Sequence, residues 1–302
     1  MLRPNDLKHF FKPRARLLYL LGDQLIRDAG IAVFELVKNA YDADASYAKV
    51  TLANVSDASR GSITVLDDGT GMDLDTITGV WLEPGTDYRR EQREREHRTR
   101  KGRFPLGEKG VGRFAAHKIG DSITLTTRRS RQQEVVVKFS WKTVGEYRYI
   151  DEVPVSINTR KPEVFKGRTG TQVEITDLHE SWTREMVRDL ARAINSITSP
   201  FSNGDADFTP RLVMTSPDEA EWLEGLLTPR LVRRYSLFRA TGKIEGSSLS
   251  YRYEFKPFPA MKDRIEARQV SRTDVALVSV VDRKKYQIDL KKHRIGSVTF
   301  EF

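Results

Sequence analysis

Residues Ile31–Ala45 read IAVFELVKNAYDADA, and the fold turns on how that stretch is taken. Its apolar positions (Ile31, Val33, Phe34, Leu36, Val37 and Ala40) have the density of a buried helix. Glu35, Asn39 and Asp42 fall at i, i+4 and i+7, so all three project from one face of that helix. A polar stripe on an otherwise apolar helix meets solvent or lines a site, because burying each group unpaired costs about 1–3 kcal/mol. Solvated faces favour long Lys and Glu, whereas Asn and Asp are poor helix formers. The stripe is therefore either an unusual solvated face or the wall of a site.

Three further motifs follow in order. ITVLDDGTGMD (Ile63–Asp73) ends a strand at Asp67 and continues into Gly69, Gly71 and Met72. Alternate glycines let the backbone turn sharply and approach a ligand. A carboxylate at a strand end is an acceptor suited to an exocyclic amino group. GEKGVGRFAA (Gly107–Ala116) places Gly107, Gly110 and Gly112 ahead of a helix-like run, so amides and a helix N-terminus converge where an anion could sit. GRTGTQVEI (Gly167–Ile175) sets Thr171 at the start of a β run. Each motif alone is weak, and the glycine-rich loop alone is as consistent with a flexible turn. No Walker-type lysine loop is present.

The ordered set Glu-x-x-x-Asn, Asp-x-Gly-x-Gly, Gly-x-x-Gly-x-Gly, Gly-Thr resembles the GHKL ATPase superfamily of gyrase B, the heat-shock chaperone ATPase, histidine kinases and MutL. GEKGVGRFAAHKIG and WLEPGTDYR look most like its bacterial stand-alone and MORC-like members. The resemblance implies an α+β fold, the Bergerat sandwich, with a mixed, mostly antiparallel sheet covered by helices. It also implies ATP and magnesium as cofactors. By the same resemblance Asn39 would hold the magnesium ion, and Glu35 would orient or deprotonate the attacking water. Asp67 would accept from the adenine amino group with Thr171 in support, Met72 would pack on the base, and Asp42 would support the helix residues. Gly69 and Gly71 would form the turn beside the base. The amides of Gly107, Gly110, Val111 and Gly112 would cradle the phosphates, with Lys109 or Arg113 offsetting their charge. Residues from about 81 to 106 correspond to the lid of such proteins. Histidine kinases usually carry Asn where this chain has Glu35, so water is the expected phosphoryl acceptor.

The rest of the chain bounds the reading. At 302 residues, two domains are expected. They are an arm and lead helix (1–30) joined to a nucleotide domain (31–204), then a smaller α/β transducer-like region (205–302) after the turn-rich SPFSNGDADFTP. No cysteine is present, which excludes disulfides and thiolate metal sites. LLYLLG (Leu17–Gly22) is too short to span a membrane, and a cytoplasmic protein is expected. The net charge of +9 suits a phosphate-rich partner: nucleotide, or DNA through the basic runs Arg89–Arg103 and Lys284–Arg294. Most charges of YRREQREREHRTRKGR (Tyr88–Arg103) read individually as a solvated surface. Lys284, Lys285, Lys291 and Lys292 are equal candidates for a lysine reaching the terminal phosphate. RIGSVTFEF, at residues 294–302, stops within a strand pattern and suggests a longer protein. Two activities fit: an ATPase whose cycle closes a homodimer, with residues 1–30 exchanged or packed at home, or a nucleotide-sensing module that recruits a protein partner.

Overall fold

The structure, a computed structural model, describes residues 11–25, 27–83, 98–103, 106, 112–197, 208–226, 235–245, 248–261, 263–276 and 297–301. The chain divides into two compact units, Met1–Thr198 with Asp205–Leu226, and Leu227–Phe302 with Ser199–Gly204.

The first unit is built on a seven-stranded sheet of order β5-β4-β3-β6-β2-β1-β7. Its strands are β1 (Tyr47–Ala53), β2 (Ser62–Asp67), β3 (Gly120–Arg128), β4 (Glu134–Ser140), β5 (Ser156–Arg160), β6 (Gly170–Leu178) and β7 (Thr209–Met214). Every neighbouring pair is antiparallel except β1–β7, which is parallel. This is the expected mixed, mostly antiparallel sheet. β7 places residues 209–214 in the first sheet, so the units part after Leu226 and not at 204. Pro210, which cannot donate to a ladder, is tolerated because β7 is an edge strand.

Helices α1 (Arg16–Leu25), α2 (Ala29–Asp42) and α5 (Arg184–Ser196) accompany the sheet; α3 (Leu74–Thr76) and α4 (Trp141–Val144) are single turns. α2 starts two residues before its apolar run suggests, because the Asp28 carboxylate caps it, accepting from Ile31 N at 2.8 Å. Ala29, Ala32, Val33, Leu36, Val37 and Ala40 are buried and share one core with Val50, Ile63, Ile175 and Ile194. Thr183 caps α5, accepting from Met186 N at 3.3 Å. The arm preceding α1 bonds to its own chain: Ala15 N donates to Arg148 O and Ile150 N to Pro13 O.

The second unit holds a four-stranded antiparallel sheet, β10-β9-β8-β11, from β8 (Phe238–Glu245), β9 (Ser248–Phe255), β10 (Arg268–Ala276) and β11 (Ser297–Glu301). Its described residues add one 3-10 turn, Pro259–Met261. The helical layer implied by an α/β reading is not found among them. Lys284, Lys285, Lys291 and Lys292 lie outside the described residues.

Candidate functional site

Side chains alternate along a strand, so the register of β2, β6 and β3 sorts the buried face of the sheet into rows. Ile63, Ile175 and Ile123 form one row, and Val65, Val173 and Leu125 the next. The row after these is polar: Asp67 ends β2, and Thr171 pairs with Thr127. Asp67 is 7% exposed and Thr127 is fully buried, so the polar row needs internal partners.

It has them on one side. Asp67 Oδ1 accepts from Gly69 N at 2.8 Å and Thr171 N at 3.2 Å. Among the described residues no donor reaches Oδ2. Burial pushes the Asp67 carboxyl up to about 7, against the lowering pull of the two amides. The Thr127 hydroxyl bonds Thr171 Oγ1 at 3.0 Å, donates to Gly170 O at 3.0 Å and accepts from Met72 N at 2.9 Å, within the hydroxyl's capacity of one donor and two lone pairs. Thr127 carries no motif, and the sequence reading missed it.

Two glycines are forced by these approaches. Gly71 has φ 63, and a Cβ there would lie 2.0 Å from Arg128 O. At Gly170 a Cβ would lie 2.1 Å from Asp67 O. Met72 then packs against a satellite core of Ile77, Leu125, Val135 and Val137. Asp68, beside Asp67, has a different task. It accepts from Ser46 N at 2.7 Å and Tyr47 N at 3.0 Å and pairs with the Ser46 hydroxyl, joining the ends of β1 and β2.

The glycine turn is docked on the end of α2: Thr70 N donates to Ala43 O at 2.9 Å, and Ala43 N caps Asn39 O. Glu35, Asn39 and Asp42 all stand half-buried on that helix. The Lys38 ammonium is 2.5 Å from Glu35 Oε1. Asp42 Oδ1 accepts from Leu106 N at 2.7 Å, and Asp44 Oδ2 from Lys101 N at 3.4 Å. Arg103 departs from the solvated reading of its charge run. It is 5% exposed, its guanidinium sits 4.5 Å from the Tyr41 ring and 5.6 Å from that of Phe208, and Nη1 donates to Tyr41 O at 2.9 Å. The reason is physical: a planar guanidinium stacks on aromatic faces at little desolvation cost.

Residues 28–171 match the family model described as histidine kinase-, DNA gyrase B-, and HSP90-like ATPase. They form a GHKL ATPase domain.

The chain is also similar to named proteins. The chain is 30% identical over 177 residues to a chaperone protein HtpG of Chromobacterium violaceum, covering 52% of this chain and 25% of the relative. It is 24% identical over 180 residues to that of Mycolicibacterium gilvum, covering 56% and 27%. With that of Gluconobacter oxydans it shares 25% over 300 residues, 86% of this chain and 46% of the relative. The chain thus spans about a quarter of the length of the first two relatives. All three relatives are named as chaperone proteins.

Within this GHKL domain the structure brings Asp67, Gly69, Gly71, Met72 and Thr171 together through the bonds above, and the glycine turn joins them to the α2 end bearing Asn39. Gly107, Lys109, Gly110 and Val111 lie outside the described residues, as does most of the expected lid. Gly112 opens a 3-10 helix (Gly112–Lys118) packed against α1 and α2, and Arg113 follows it there. Among the described residues no helix is long and apolar enough to cross a membrane.

Proposed function

We propose that the chain binds ATP with magnesium, hydrolyses it slowly, and uses the nucleotide cycle to close and reopen a homodimer. The observation that carries the reading is the buried polar row. Asp67 has both backbone donors on one oxygen, and its second oxygen is suited to the amino group of adenine. Thr171 and Thr127 fix its neighbours, and Met72 offers an apolar surface to the base.

Asn39 fits magnesium: it is a hard oxygen donor, half-buried, one helical turn from Glu35, and magnesium commonly takes few protein ligands alongside phosphate oxygens and waters. When bound, the metal would neutralise charge on the phosphates. Glu35 accepts a proton from, or orients, the attacking water, a general-base task. Lys38 restrains the Glu35 carboxylate from the same helix. The relatives' chaperone role concerns proteins about twice as long, so the client and the form of the dimer are part of this proposal. DNA is supported only by the charge of +9 and the basic runs Arg89–Arg103 and Lys284–Arg294.

The test is Glu35→Ala in the 302-residue chain. Retained binding of ATP, lost turnover and a dimer that persists by light scattering support the cycle. Unchanged turnover, or oligomeric state indifferent to ATP, contradicts it.

A further inference from the structure

One buried charge has no part in this chemistry. Glu134, the first residue of β4, is completely buried. Its Oε1 accepts from Arg160 Nε at 2.8 Å and lies 2.8 Å from Nη2. Its Oε2 accepts from three successive amides, Glu163 N at 3.2 Å, Val164 N at 2.9 Å and Phe165 N at 3.0 Å. Burial alone would raise this carboxyl, but the donors hold it below the usual carboxylate range.

A buried ion pair adds little to stability, and an apolar replacement is often as good. What such a group does well is fix one arrangement of a backbone, and the backbone fixed here leads to the base pocket. Arg128 Nη1 grips the next stretch of the loop, donating to Phe165 O at 3.1 Å and Arg168 O at 2.6 Å. A Cβ at Gly170 would lie 2.7 Å from the buried Phe165 ring. Thr169 Oγ1 then donates to Gly69 O at 2.7 Å, and Thr171 N to Asp67 Oδ1. The loop clamped by Glu134 therefore delivers one of the two amides that aim the Asp67 carboxylate.

We propose that Glu134 is a positioning residue for base selectivity, holding loop 161–169 so that Thr171 N orients Asp67 toward adenine and against guanine. This rests on Asp67 being the base acceptor. Guanine presents a carbonyl oxygen where adenine presents its amino group, so a fixed carboxylate repels one and binds the other. A carboxylate that can swing loses that contrast before it loses all affinity.

The experiment is equilibrium binding of non-hydrolysable ATP and GTP analogues to the 302-residue chain as wild type, Glu134→Gln and Asp67→Asn, with near-ultraviolet circular dichroism to confirm the fold. Glu134→Gln is expected to lower the ATP-over-GTP preference about tenfold, a factor matching one weakened charged hydrogen bond. Arg128→Gln loosens the same loop from its other end and takes over the test if Glu134→Gln fails to fold; the same direction is expected. Wild-type preference in the folded loop variant, with ATP binding lost in Asp67→Asn, overturns the role of Glu134 and leaves Asp67 as the base acceptor. Undiminished ATP binding by Asp67→Asn overturns that reading of Asp67, and this inference with it.

Discussion

The Lys38 ammonium lies 2.5 Å from Glu35 Oε1, one turn along the same helix, with side chains 20% and 27% exposed. The pair restrains a carboxylate that water can still reach. Glu35→Ala should lower turnover by about 10²–10⁴, the usual worth of a general base. Lys38→Met removes only the restraint and should lower it by less than about tenfold. Steady-state kinetics at saturating ATP decides between them; equal losses would make the pair, and not Glu35 alone, the catalytic unit.

Steric need at Gly71 is a second test. An alanine Cβ there meets the Arg128 carbonyl at 2.0 Å with φ 63, so Gly71→Ala should cost at least ~2 kcal/mol in denaturant unfolding. Gly79 has nothing within 4 Å, and Gly79→Ala should stay within ~0.5 kcal/mol of wild type.

Asp67 ties pH to stability. Its carboxyl ionises at about 7 when folded, against 3.8 ordinarily. Between these values the folded state keeps a proton that the unfolded chain has released. The stability from that proton is present at low pH and falls as pH rises through this window. Asp67→Asn removes the dependence, so its stability relative to wild type should improve from pH 4 to 7.5, by up to ~4 kcal/mol. Denaturant curves at several pH values check this; a constant difference would contradict it.

Arg103 offers a fourth. Arg103→Ala strips a buried cation from Tyr41 and Phe208 and a donor from Tyr41 O, and should cost about 1–3 kcal/mol. The exposed Arg100 is the control, with Arg100→Ala within ~0.5 kcal/mol.

Local chemistry was readable from the sequence, and register was not. Glu35, Asn39 and Asp42 could be placed on one face because helical spacing is a local property. Asp67 and the glycines stood out because few sequences need that turn. Thr127 was hidden, since a threonine in a strand is unremarkable until β3 lies beside β6 and its hydroxyl meets Thr171. Arg103 was hidden inside a charge run, and its burial depends on Tyr41 and on Phe208, about a hundred residues away. β5 (SINTR) has a single apolar residue, and β7 needs a parallel partner far upstream, so neither declares itself by alternation.

The most direct measurement is titration calorimetry of the 302-residue chain with a non-hydrolysable ATP analogue and magnesium, on wild type and Asp67→Asn. The account predicts one site per chain in the wild type and loss of binding in the variant, whose fold is kept. Equal affinity in the two proteins would contradict it.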